Sequence, residues 1–249
     1  MNDWPQIYSE IESLTESVTV RPLFFRGHRD ASWPLLPTFG RIDWLHDLYG
    51  RQAEHNLYYE FLTRAGDLIS DPNDSWAIAF AMQHHGMPTR LLDWSDNFSV
   101  ALHFALGKRH DEERDAAIWI LNPFALNKAT RDLHGVFHPT DLNASYHDLF
   151  VARQTELTGG VAAIWPLRHN PRVFSQRAGF TVHGDLTRPL DQLYPNVLKK
   201  IVIPATARRG ARRFLELTGV SEFALFPDLD GLARDILSQE FQGRRPRSA

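Results

Sequence analysis

The chain has 249 residues, no cysteine and a formal net charge of −3. Without cysteine there can be no disulfide, no thiolate-ligated zinc and no thiol nucleophile, and a net negative chain is not drawn to nucleic acid as a whole. With 43% hydrophobic and 23% charged residues the composition suits a chain that buries a core; no run approaches the ~20 apolar residues of a membrane span, and the N-terminus MNDWPQIYSE is acidic, so a cytoplasmic protein without membrane partners is expected.

In chain order, Trp4, Ile7, Ile11, Leu14 and Val18 recur at spacings of three and four, the pattern of an amphipathic helix over 4–18. Leu23-Phe24-Phe25-Arg26 reads as a short apolar strand ended by Gly27. The loop after it holds Trp33, Pro34 and Pro37, too many turn formers for a regular element. Helical spacing returns between Asp43 and Ile69. Asp71-Pro72-Asn73-Asp74 breaks it, and Asp74 or Ser75 can cap a helix carrying Trp76, Ile78, Phe80 and Met82. Gly86 and Pro88 end that helix, and Leu91-Leu92-Asp93-Trp94 reads as a second short strand. Ser95 to Asn97 can cap the next helix, through Ala101, Leu102, Phe104 and Ala105.

Four strands are expected later, at Ala116–Leu121, Val161–Trp165, Phe180–Val182 and Val197–Ile203, with helices over 207–217 and after Phe226-Pro227-Asp228. The Asn, His and Thr content of 122–160 suggests long loops. Helices come first and strands later, without a βαβ rhythm. The fold class expected is therefore α+β, a single domain over 1–249 with N-terminal helices packed on a mixed or antiparallel sheet.

Three segments can carry chemistry. Arg26, at the end of an apolar strand, must hold its permanent charge in water, against a structural acid, or against a ligand anion such as a phosphate. Gly27 beside it leaves room for a ligand to approach. The block from Gln83 to Trp94 ends a helix with His84 and His85, turns on Gly86 and Pro88, and enters a strand with Thr89, Arg90 and Asp93. The histidines can act as acid, base or donor near neutral pH. Asp93 can orient a base or take a ribose hydroxyl, while Arg90 and Asp93 can equally form a structural network with each other or with Arg26. In the third segment, Asn170–Phe180, Gln176 can reach a ligand and Gly179 permits close approach. No metal is expected: no H-E-x-x-H occurs, and adjacent histidines on a helix point about 100° apart. The phosphate-loop, dinucleotide and G-x-S-x-G signatures are absent too. Basic clusters at Lys199–Lys200, at Arg208, Arg209, Arg212 and Arg213, and at Arg244, Arg245 and Arg247 leave a nucleic-acid contact open.

These pieces together resemble the FRG domain, named for the tripeptide that stands here as Phe25-Arg26-Gly27. The likeness continues through Trp33, Leu35 and Pro37, the block Gln83–Trp94, and Ala101-Leu102-His103-Phe104-Ala105. It extends to Arg172, Gln176, Gly179-Phe180 and Leu225–Leu229, spanning about residues 20–235. FRG domains occur mainly in bacterial and phage-related proteins. A more distant similarity to ADP-ribosyltransferases implies NAD as substrate and an ADP-ribosyltransferase-like core, in an effector, toxin or phage-defence protein. That resemblance casts Arg26 as the clamp on NAD and Asp93, Gln176 or Glu222 as its catalytic partners. Phe25, Gly27, Trp33, His84, His85, Thr89, Arg90 and Trp94 would form the cofactor pocket, with a protein or nucleic acid as acceptor. The Ser-Thr-Ser run of those enzymes is missing here. The alternative is a module that binds or senses a nucleotide without turning it over.

Overall fold

The computed structural model describes residues 3–42, 48–69, 71–107, 113–166 and 175–240. Residues 43–47 of the second expected helix, Arg172 and the basic tail at 244–247 lie outside the described residues.

Asp3 caps the first helix, α1 (Trp4–Glu16), by accepting from the Gln6 amide, and Trp4, Ile7 and Ile11 are its buried face. Strand β1 (Phe24–His28) runs through Gly27 rather than ending on it, one residue further than expected. A 3-10 turn, Thr38–Arg41, and helix α2 (Leu48–Ala65) follow. Asp74 caps α3 (Ser75–His84) by accepting from the amides of Trp76 and Ala77. Gly86 then turns the chain at φ +79°, a conformation that costs glycine little. Strand β2 (Leu91–Ser95) leads into α4 (Phe98–Leu106), capped by Asn97. Strand β3 spans Ala116–Leu121, β4 Val161–Ile164, β5 Ala178–His183 and β6 Leu198–Ile203.

The stretch expected to be loops holds a helix, α5 (Pro123–Arg131), a 3-10 turn at Pro139–Leu142 and a π-helical turn at His147–Val151. Asparagine misled the reading because here it caps and braces. Asn122 accepts from the Ala125 amide at the start of α5. Asn127, fully buried, donates to the carbonyls of Gly135 and Ala163 and accepts from the Ala163 amide, tying α5 to β4. Buried amides with every bond made are stabilising where a loop amide would simply meet water. A short helix α6 (Leu190–Leu193) precedes β6, and α7 (Arg208–Thr218), α8 (Glu222–Leu225) and α9 (Leu229–Glu240) close the chain. Among the described residues no helix is long and apolar enough to cross a membrane.

The six strands form one antiparallel sheet in the order β4-β5-β2-β1-β3-β6. One face carries two separate cores. Helices α1, α4 and α7 bury Trp4, Ile11, Ala101, Ala105 and Leu215 against Phe25, Ile118 and Ile203 of the β1-β3-β6 half. Helix α3 and the π-helical turn, with Tyr58 of α2, bury Trp76, Met82 and Phe150 against Leu91, Phe180 and Val182 of the β2-β5-β4 half. The opposite face buries Phe24, Leu92, Trp94 and Trp119 beneath Leu35 and Leu190.

Where the two halves meet, the sheet comes apart. Strands β2 and β5 pair over five residues and β1 and β3 over five, but β1 and β2 share only Phe25 opposite Ser95. Beyond that pair the two strands diverge, leaving main-chain groups that must find other partners.

Candidate functional site

A cavity of about 340 Å³ opens at this divergence. Its walls come from both halves of the sheet: Phe25, Arg26 and Gly27 of β1, Asp93, Trp94 and Ser95 of β2, and Ala178 and Phe180 of β5. Helix α3 contributes Phe80, Gln83 and His84, α4 contributes Val100, Ala101 and Phe104, and Trp33, Gln176 and Phe226 complete the rim with Arg29. Ten of the eighteen lining residues are aromatic or aliphatic and seven are polar or charged, the mixed make-up of a small-molecule site.

Arg26 alternates with Phe25 and Gly27 along β1, so its side chain starts on the sheet face opposite the two helical cores. Its guanidinium then reaches across the gap. Nη1 donates to the carbonyl oxygen of Asp93 at 2.7 Å, the bond a closed β1-β2 ladder would have left to a backbone amide. Nε donates to His28 Nε2 at 3.1 Å. Nη2 makes no hydrogen bond among the described residues. The Asp93 carboxylate stands 3.8 Å from Nη1, beyond hydrogen-bonding range. Burial lowers the Arg26 pKa to about 10 even though Asp93 opposes the shift, with Arg41 adding to it. Burial likewise raises the Asp93 carboxyl above the ordinary range against the pull of Arg26 and the Gln83 bond. Asp93 is half exposed, at 53% of its side chain, so solvent in the open cavity screens part of that shift. Both shifts run against charge, so the attraction across 3.8 Å is too weak to repay what the two groups lose in hydration.

His28 beside Arg26 is 3% exposed, and burial followed by the Arg26 charge pushes it down to about 3. It is neutral at physiological pH and accepts from the guanidinium. His183, fully buried on β5, is likewise pushed down to about 3 by burial and then by Arg90 and Arg26.

The residues singled out in the sequence divide into two groups. Arg26, Asp93, Gln176, Phe25, Gly27, Trp33, His84 and Trp94 line the one cavity. His85, Thr89, Arg90 and Glu222 do not. Arg90 lies in a closed network: Nε and Nη2 donate to the two Glu54 oxygens at 2.7 and 2.8 Å, and Nη1 to the carbonyls of Gly184 and His183. Thr89 is buried and bonds within the chain, and His85 is the exposed cap residue of α3. Glu222, at the start of α8, pairs with His103 at 3.3 Å and with Arg234 at 3.2 Å, and the His103 bond holds its carboxyl below the usual range.

Two glycines have a purpose different from the one expected. A Cβ on Gly27 would overlap the carbonyl oxygen of Ala101 and the amide nitrogen of Ala105, so the glycine lets α4 sit directly on β1. A Cβ on Gly179 would run into the Phe24 ring. Both make room for packing rather than for a ligand. Trp94 is buried, with Nε1 bonded to Thr181, whereas Trp33 is only half-buried and offers more ring surface. Gln176 is tied to the last segment: its Nε2 donates to the Leu225 carbonyl at 3.3 Å.

Sequence reasoning missed His28, Arg41, Phe80, Phe104 and Phe226. The first sits two residues after Arg26 on a strand, the spacing that puts side chains on one face, so it was within reach of pattern alone. Phe226 comes from the far end of the chain and gives no such signal. Half of the described basic cluster is also committed. Arg208 donates to the carbonyls of Arg114 and Leu106, Arg212 to those of Leu106 and Gly107, and Lys200 to that of Ala31. Among the described residues no group of three His, Asp or Glu is placed to hold a metal ion.

The protein is thus an antiparallel α+β fold with a cavity built at the divergence of its two central strands. The family model of the FRG domain matches residues 21–114, so that span is similar to the FRG domain. It includes β1, α3, β2 and α4 and all of the cavity lining except Gln176, Ala178, Phe180 and Phe226. The match ends well short of residue 235, where the resemblance read from the sequence ran. Neither the curated proteins nor the solved structures searched gave a match.

Proposed function

We propose that the cavity binds a nucleotide, with NAD as the candidate substrate, and that the protein is an ADP-ribosyltransferase-like enzyme that breaks the nicotinamide–ribose bond. One observation carries this reading: Arg26, Asp93 and Gln176 line the same hollow as Trp33. Cleavage of that bond passes through an oxocarbenium-like state, which needs a held phosphate, a held ring and an acceptor near the ribose hydroxyls. Arg26 Nη2 supplies a donor for the phosphate and completes an ion pair that Asp93 leaves unfinished. Trp33 offers a stacking face, and Asp93 or Gln176 the ribose contact. The acceptor of the ADP-ribose is water, a protein or a nucleic acid, in keeping with a toxin or a phage-defence component.

The test is release of nicotinamide from NAD by the purified protein, followed by chromatography. Arg26→Ala is expected to lower the rate by about 100-fold or more, the usual cost of losing one preorganised donor. No release by folded wild-type protein would end the enzymatic reading.

One observation favours a second reading. Glu222, the glutamate that the ADP-ribosyltransferase likeness offered for catalysis, is bonded to His103 and Arg234 outside the cavity. A module that senses a nucleotide without cleaving it would show a melting temperature that rises with added NAD or ADP-ribose, with no turnover.

A further inference from the structure

The structure assigns Gln83 and Thr89 as positioning residues for Asp93: together they hold its carboxylate as a hydrogen-bond acceptor facing the cavity. The assignment deepens the reading above and rests on it for the identity of the ligand, but its geometry involves protein groups alone.

The direction of each hydrogen bond follows from the one before it. The Leu91 amide can only donate, and it gives its proton to Thr89 Oγ1 at 3.1 Å. The Thr89 hydroxyl proton must therefore point elsewhere, and it goes to Gln83 Oε1. With its oxygen engaged, Gln83 turns its NH₂ group outward and donates from Nε2 to Asp93 Oδ2 at 2.7 Å. An amide NH₂ has donors and no lone pair to offer, so this bond exists only toward an accepting oxygen. Turned the other way, the amide would present its oxygen, and Asp93 would need a proton to meet it. Thr89 is 1% exposed, so water does not compete for its hydroxyl.

Three elements converge to build the relay: the last turn of α3 brings Gln83, the turn after Pro88 brings Thr89, and β2 brings Asp93. The charged and titratable groups around Asp93 are Arg26 from β1, Arg41 from the 3-10 turn, and Arg29 and His84 on the same cavity wall. Arg26 and Arg41 both favour the ionised form. An acceptor fixed at this point selects a ligand that presents a hydroxyl or N–H there, and rejects one that brings a second anion to it.

The test is ligand-free. The Asp93 carboxyl is followed by NMR titration of protein carrying ¹³C-labelled aspartate, its signal assigned with Asp93→Asn. Gln83→Met is expected to raise the midpoint by about one pH unit, the size of one lost charge-assisted hydrogen bond. Thr89→Val frees the amide to turn and is expected to raise it by a similar amount, while Thr89→Ser keeps the hydroxyl and the wild-type midpoint. An unchanged midpoint in Gln83→Met, or a Thr89→Ser midpoint raised like that of Gln83→Met, would overturn the assignment. Should Thr89→Val fail to fold, the other two variants decide by themselves. No NAD is used, so a failure of the NAD chemistry and a failure of the relay are told apart.

Discussion

Two arginines, Arg26 on β1 and Arg90 just before β2, meet two acids, and the pairs are opposite in character. Arg90 and Glu54 are joined by two bonds of 2.7 and 2.8 Å, and carbonyls of Gly184 and His183 take up Nη1. Burial alone would lower the Arg90 pKa, but the Glu54 bonds and charge outweigh it and raise the value. Arg26 and Asp93 stand 3.8 Å apart, and there burial wins for both partners. Each place sets an arginine beside a carboxylate, and completeness differs. A guanidinium whose three nitrogens all bond to protein belongs to the architecture, and one left unfinished beside a cavity is available to a ligand.

Glu54→Ala should break the closed pair with the largest effect. It strands a buried guanidinium, and about 3–5 kcal/mol of stability should be lost, read from urea unfolding monitored by circular dichroism. Arg26→Met, by contrast, should change stability by no more than about 1 kcal/mol, because Arg26 loses hydration without a finished pair to show for it. Equal losses in the two variants would erase the distinction. Gly27→Ala should cost about 1–3 kcal/mol, since the new methyl overlaps α4 backbone that cannot yield. A Gly27→Ala protein as stable as wild type would mean that α4 does not sit where it is described.

The Arg26 side of the comparison also has a signature in acid. His28 and His183, both pushed down to about 3, stay neutral in the folded protein while their unfolded counterparts take up protons below about pH 6.5. Stability should therefore fall as pH drops from 6.5 toward 3, by up to ~1.4 kcal/mol per pH unit for each histidine. His28→Gln should remove half of that slope in unfolding experiments repeated across the range; an unaltered slope would mean that His28 is not held neutral. Asp93 has the opposite sign and the smallest effect. Its raised pKa favours the folded state only while the carboxyl is protonated, so that contribution is lost as pH rises through the raised value. Asp93→Asn should be slightly more stable than wild type at pH 7, by less than ~1 kcal/mol given the carboxylate's exposure, with the gap closing below pH 4.

Local chemistry made much of this protein legible. Helix starts at Asp74 and Asn97 follow from side chains that bond their own neighbours, and the turn at Gly86 from the lack of a Cβ. The strands follow from short apolar runs, and β3 falls on Ala116–Leu121 as read. The tripeptide and the Gln83–Trp94 block pointed to Arg26 and Asp93, which do line one cavity. Failures came where a residue's partner is far away in the chain. Asn127 looked like a loop former because its partners, Gly135 and Ala163, are invisible to local pattern.

Which glycine makes room for a helix and which for an aromatic ring, and which arginine faces a cavity and which a glutamate 36 residues away, are decided by tertiary structure. The sequence by itself determined where the chain bends, caps and pairs, because those choices depend on atoms within a few residues of each other. Whether a charge is answered depends on what the finished fold brings within 3 Å of it, and that distance is set by packing between segments that never meet in the linear chain.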